Sequence, residues 1–258
     1  MADIFDSPKR MLRWSKQHID KLEREIISFS HEKPWSIVSE RGADGTTDVF
    51  KVVFNRQLSD DLPHIVFDAA NNMRTVLDQT AFAVAVQYTG NKSPKSAKFP
   101  FGPTETDMLN NERGGCKDLP QEVRSLFKSF KPYKGGNNAL WALNELANTS
   151  KHKMLYPIGL GGGVTTFRPN GLMVLPGVPL EIQPPQWNRE KHELIFARIG
   201  ADAQFRGDFD VTFTVAFDEV DEVIRGQNPV VVLGVMVREV QEVLDLTEVM
   251  CRAVGLVK

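Results

Sequence analysis

The chain has 258 residues, 41% hydrophobic and 25% charged, with a formal net charge of -2. That length can bury a substantial core, and the charge balance argues against a protein dominated by attraction to nucleic acid or anionic membrane, while leaving a local basic patch open. The two cysteines, Cys116 and Cys251, are far apart with no CxxC or zinc spacing, and read as reduced thiols of a cytoplasmic protein.

The opening "MADIFDSPKRMLRW" carries early acids and no long apolar stretch, so no secretory signal is expected. The longest apolar run, Val230 to Val237, falls well short of the roughly 20 residues that cross a bilayer. Pro8 in a first turn, capped by Ser7, predicts a helix over 8–30. Met11, Leu12, Ile19, Leu22, Ile26 and Phe29 recur along it at helical spacing. Residues 34–58 then alternate through Phe50, Val52 and Phe54, and with the turn "GADGTT" they predict an antiparallel hairpin.

A second helix is expected from Ser59–Pro63 to about Gln87, burying Ala69, Met73, Val76, Leu77, Thr80 and Val84. Asn71, Arg74 and Asp78 share another of its faces. Composition makes 89–120 a long loop with a helical turn around Glu105–Asn111. "LPQEVRSLFKSF" is a short helix; Asn137 or Asn138 caps the next, which runs to about Lys151. From Met154 to Phe217 the chain reads as turns and strands, "HELIFARIG" and "FDVTFTVAFDEV" most clearly. In the latter, Val211, Phe213, Val215 and Phe217 line one face. Asn228 and Pro229 open a last helix to about Val254, burying Leu233, Met236, Val237, Val240, Leu244 and Val249.

Chemistry concentrates where the fourth helix ends. Lys151, His152 and Lys153 suit the negative end of a helix dipole without any catalytic role. Asn144, Asn148, Lys151 and His152 nevertheless form a polar stripe matching that of Asn71, Arg74 and Asp78, and two facing stripes would line a polar cleft. Arg13 and His18 have the Arg-x-x-x-x-His spacing found in HEPN-type ribonucleases, where guanidinium stabilises phosphate charge and imidazole moves a proton; a solvated basic turn explains them equally. "GLGGGV", 159–164, lacks the lysine and the following helix of a phosphate loop and reads as a turn. Residues 91–134 are basic with interleaved Phe99, Phe101, Phe127, Phe130 and Tyr133, a mixture that could bind single-stranded nucleic acid or simply supply core aromatics. The five scattered histidines make no metal motif, no GxSxG appears, and no cofactor is expected.

The stretches "SKQHIDKLEREIISF", "AANNMRTVLDQTAF", "KFPF" and "KPYKGGNNALWALNELANTSKHKML" resemble a bacterial family with no established activity. Its members share His-x-x-x-Leu, Asn-x-Arg-x-x-Leu-Asp and Pro-Tyr…Leu-Trp-x-Leu…Lys-His-Arg helices. Here Lys153 stands where the pattern prefers arginine, and "NTS" where an acid commonly precedes Lys-His. The resemblance spans about Ser15 to Leu155, is only loosely similar to HEPN-like bundles, and singles out Asn72, Arg74, Asp78, Trp141, Leu143, Asn148, Lys151 and His152.

The expectation is therefore a single α+β domain over 1–258, a helical bundle packed beside an antiparallel β-sheet. Its helical part covers about 8–30, 59–151 and 229–254, and its β-rich part about 34–58 and 154–218. It reads as a binding or interaction module that recognises an anionic small molecule or nucleic-acid phosphate. Asn72, Arg74, Asp78, Asn148, Lys151 and His152 are the candidate ligand residues. The alternative is a metal-independent ribonuclease-like enzyme using His152, Arg74 and Asp78, or else His18 and Arg13. No membrane partner is expected; an oligomeric assembly is compatible with the sequence.

Overall fold

A computed structural model describes residues 3–56, 58–149, 167–170, 180–188, 191, 193–200, 208–211, 215–217 and 221–257. Helix α1 (Asp6–His31) starts two residues before the sequence suggests, with Phe5 and not Ser7 at the cap. Pro8 then sits at the third helical position, where its missing N–H costs nothing because the first turn has no intrahelical acceptor for it. Leu12, Leu22 and Phe29 are buried, and Met11, Ile19 and Ile26 pack against the same core.

Strands β1 (Trp35–Arg41) and β2 (Thr47–Phe54) form the antiparallel hairpin read from their alternation. Together with β4 (Leu180–Asn188) and β5 (Glu193–Gly200) they build a sheet of order β1-β2-β5-β4. Phe50, Val52 and Phe54 turn one face of β2 into the common core, while Lys51 points the other way. Its ammonium is buried between Glu40 and Glu193, at 2.7 Å from each. A separate ladder pairs β3 (Phe167–Asn170) with β6 (Asp208–Val211).

Helix α2 (Leu62–Thr89) buries Ala69, Met73, Val76, Leu77, Thr80 and Val84, the expected stripe. It ends at Gly90, whose φ of 69° is the left-handed cap that a residue without Cβ accepts freely. Ser7 meets Gln79, and Phe29 and Leu62 wall one crevice, so α1 and α2 are antiparallel neighbours. Helix α6 (Pro229–Ala253) is capped by Asn228, as the sequence indicates, and binds α1 through Lys16–Gln241 and Lys9–Glu248. Val249, expected inside, is 60% exposed: it lies about 140° around the helix from Leu244, and Val243, Thr247 and Cys251 continue the buried stripe.

Two further expectations are corrected. Residues 105–115 form a full helix, α3 (Glu105–Gly115), in place of one turn in a loop. The Thr104 hydroxyl accepts the Asp107 N–H at 3.2 Å and donates to its carboxylate at 2.7 Å, satisfying a first-turn donor. Val215 and Phe217 do not continue β6: Val215, Ala216 and Phe217 are all buried, and Phe217 instead exchanges backbone hydrogen bonds with Gly226 and Gln227. Of the aromatics of 91–134, Phe99, Phe101 and Phe127 are core, at most 6% exposed, with the Phe99 ring edge-on to Phe101 and tilted against Phe127 at centroid distances of 5.0 and 4.9 Å, while Phe130 and Tyr133 are half-buried. Rings as covered as the first three cannot offer stacking platforms to bases.

Helix α4 (Gln121–Ser129) follows α3, and α5 (Asn138–Thr149) leans on α2 and α6. Asn137 is the cap of α5: its Oδ1 accepts from Ala139 and Leu140 N–H, while its Nδ2 donates to Glu239 on α6 at 2.6 Å. One apolar cluster joins the helices to β2 and β5. The whole is α+β, a helical bundle beside an antiparallel sheet. Among the described residues, no helix is long and apolar enough to cross a membrane.

Candidate functional site

Burying Met73, Val76 and Leu77 on α2 leaves Arg74 and Asp78 on its shoulder, one turn apart. Burying Leu140, Leu143 and Leu146 on α5 likewise leaves Trp141, Asn144, Glu145 and Asn148 on a common stripe. The two polar shoulders meet: Arg74 Nη1 donates to Asn144 Oδ1. Between them and the segment Lys98–Pro103 opens a cleft of about 700 Å³, within the range of small-molecule sites. Its far wall is the exposed side of α3, with Asn110 and Asn111.

Residues 98–103 form a strap held almost entirely by its main chain. Lys98 N–H donates to Gly115 O at 3.0 Å, Phe99 N–H to Asp78 Oδ1 at 3.1 Å, and Gly102 N–H to Pro132 O at 3.3 Å. Asn111 Nδ2 donates to Phe101 O at 2.7 Å, and the Cys116 thiol to Lys98 O at 3.0 Å. Gly102 passes so close to α3 that a Cβ would lie 2.3 Å from Met108 N, which only glycine permits.

The strap lays Phe101 under Arg74, the guanidinium carbon 4.4 Å from the ring centroid. Arg74 Nε faces Asp78 Oδ2 at 3.6 Å, an ion pair too long to be a hydrogen bond. Among the described residues two buried side-chain polar atoms have no hydrogen-bond partner, Arg74 Nε and Trp141 Nε1, and both residues line this cleft. Burial pulls the Arg74 pKa below the ordinary guanidinium value, against the opposing pull of Asp78. Burial, followed by the charge of Asp221, pushes the Glu145 carboxyl above the usual range; the Asn144 amide and Lys134 oppose that shift.

Of the residues singled out from sequence, Arg74 and Asn148 line the cleft, and Asp78 supports it by holding both Arg74 and the strap. Asn72 is half-buried on α2 and does not line it. Arg13 is exposed and His18 half-buried on α1, and neither reaches the cleft. Lys151, His152 and the 159–164 glycine turn lie outside the described residues. Lys98 and Phe101 figure in the sequence only as part of the basic, aromatic stretch 91–134, and nothing in it marks Asn110 and Asn111 as site residues. The signal that could have found the two asparagines is Thr104-Glu-Thr-Asp107, a capping motif that marks the start of the helix carrying them.

Cys116 and Cys251 are free and buried, their thiols pushed up to about 12 and about 11 by desolvation, so neither is a ready nucleophile. Among the described residues no group of three or more His, Cys, Asp or Glu side chains could hold a metal ion. The chain matches no family model, no curated protein and no solved structure.

Proposed function

We propose that this chain is a binding module for a small anionic molecule, held in the cleft between α2, α5 and the 98–103 strap. The observation that carries the reading is the state of Arg74. Its guanidinium is largely desolvated, braced on Phe101 and fixed by Asn144, yet among the described residues its Nε has no hydrogen-bond acceptor. A guanidinium in that condition gains from an incoming oxyanion, which supplies a charge-assisted bond and offsets the cost of burial. The preformed strap lowers the ordering cost that binding must overcome.

The nuclease alternative has less support. Among the described residues no imidazole lines the cleft, and the Arg13–His18 pair lies on α1 away from it. Five residues of helix separate those two side chains by about 140°, which does not converge them on one phosphate.

The test is NMR titration of the Trp141 indole N–H, assigned by its loss in Trp141→Phe, with propionate, benzoate, inorganic phosphate and D-glucuronate. At least one anion is expected to shift that resonance saturably, with affinity reduced at least tenfold in Arg74→Met and weakened by added salt. Absence of any saturable shift across the panel refutes the reading. Degradation of single-stranded RNA in chelator, lost in His18→Ala or His152→Ala with melting temperature unchanged, would replace it with the nuclease.

A further inference from the structure

The same cleft says more about what it takes, and the following rests on the anion-binding reading. Its charges nearly cancel. Arg74 and Lys98 line it against Glu145, while Asp78 stands behind the wall, pairing with Arg74 and spending one oxygen on the strap. With Lys98 exposed to solvent, a dianion such as a phosphate monoester would meet Glu145 across the cleft and the Asp78 charge behind Arg74 with more repulsion than one guanidinium offsets. A singly charged carboxylate matches both the charge and the planar donor edge of Arg74.

The remaining surface is neither a hydrocarbon slot nor a basic groove. Asn110, Asn111, Asn144 and Asn148 put four amides around the cleft. Each amide carries both donors and an acceptor, the combination that pairs with hydroxyl groups. Asn111 spends a donor on the strap and Asn144 its oxygen on Arg74, while Asn110 and Asn148 are exposed at the mouth. Trp141 supplies the independent sign of a ligand. It is 7% exposed, lines the cleft, and its indole N–H has no acceptor among the described residues. A buried indole N–H is normally paired, so an acceptor oxygen belongs against it.

We infer that the cleft binds a hydroxylated monocarboxylate of sugar-acid type. Its carboxylate lies on Arg74, one further oxygen accepts from Trp141 Nε1, and its hydroxyls exchange hydrogen bonds with the asparagine amides. Arg74 Nε and Trp141 Nε1 are sealed from bulk water, so engagement includes the turning aside of a wall side chain.

Calorimetric titration of the full chain separates this inference from the broader one. The probes are D-glucuronate, D-galacturonate and D-gluconate against propionate, D-glucose and D-glucose 1-phosphate. At least one sugar acid should bind about tenfold or more tighter than propionate, glucose and the phosphate ester, the value of one or two well-made hydrogen bonds. Trp141→Phe, which keeps the ring and removes the N–H, should weaken that sugar acid about tenfold and leave propionate unchanged. If propionate binds as tightly as every sugar acid, or the phosphate ester binds tightest, the inference fails while the anion site stands. If Trp141→Phe leaves the sugar-acid affinity intact, the indole has no part in recognition and the inference fails in that form. Binding by none of the probes removes both readings. Urea midpoints of the variant confirm that lost affinity is not lost fold.

Discussion

Arg74 and Arg124 look alike by exposure, 25% of each side chain, and each presents Nε toward a carboxylate. Arg124 meets Glu112 at 2.6 Å, and Glu112 is 4% exposed, so the pair joins α4 to α3 in a closed, satisfied contact. Arg74 meets Asp78 at 3.6 Å, Asp78 is 39% exposed, and the Nε hydrogen is left over. The contrast teaches that the extent of burial does not separate an architectural arginine from one with capacity to spare. The partner's geometry does. Glu112 approaches from another helix and can be brought to hydrogen-bond distance by packing, whereas Asp78 is tied to Arg74's own helix one turn away and also holds the strap.

The largest test of that contrast is Arg124→Met. It leaves the Glu112 carboxylate buried without its partner and should cost about 3 kcal/mol of unfolding free energy in urea titration. An unchanged midpoint would make the two arginines energetically equivalent and abolish the distinction. Gly102→Ala comes next. The new Cβ meets the Met108 backbone, and overpacking of that kind should cost about 2 kcal/mol. It should also displace Phe101 from Arg74, read as loss of anion-induced shifts at the Trp141 indole.

Arg74→Met sharpens the comparison from the other side, with a stability loss of only about 1 kcal/mol, because a cation–π contact and one hydrogen bond go while a partnerless donor is also removed. A loss as large as that of Arg124→Met would reassign Arg74 to architecture. The smallest effect is expected at Glu145. Its folded pKa lies above the ordinary carboxyl value of 4.5, so the stability linked to its proton is complete below that value. It is lost as pH rises through the folded pKa. Urea midpoints of Glu145→Gln should therefore lack a decline that the wild type shows just above 4.5; parallel pH profiles would dismiss the shift.

Elements that carry a period were legible from the residues. The stripe of α2, the cap and proline of α6, and the alternation of β1 and β2 each follow from spacing or a single capping side chain. What escaped depends on partners distant in the chain. Ser7 is as good a cap as any by type, yet the helix starts earlier at Phe5, whose fully buried ring anchors that end. Val215 and Phe217 alternate like a strand, but the turn at 221–226 captures Phe217 through Gly226 and Gln227.

The site was half legible for the same reason. Arg74, Asp78, Asn144 and Asn148 follow from helical spacing on α2 and α5. Phe101 could not be placed without the strap, whose course is set by acceptors on Asp78, Gly115 and Pro132. Trp141 could be noticed by type, but only packing shows that its indole N–H lacks an acceptor among the described residues.

The strap has a bearing on how such a cleft could change over generations. Its course is written in main-chain contacts and in Gly102, while the groups facing the cleft mouth, Lys98, Asn110 and Asn148, carry none of those bonds through their side chains. Replacing the mouth residues alters what is recognised without re-laying the backbone that presents it. Descendants of this chain could thus exchange one cargo for another by a few surface substitutions, with Arg74, Phe101 and Gly102 as the inherited chassis.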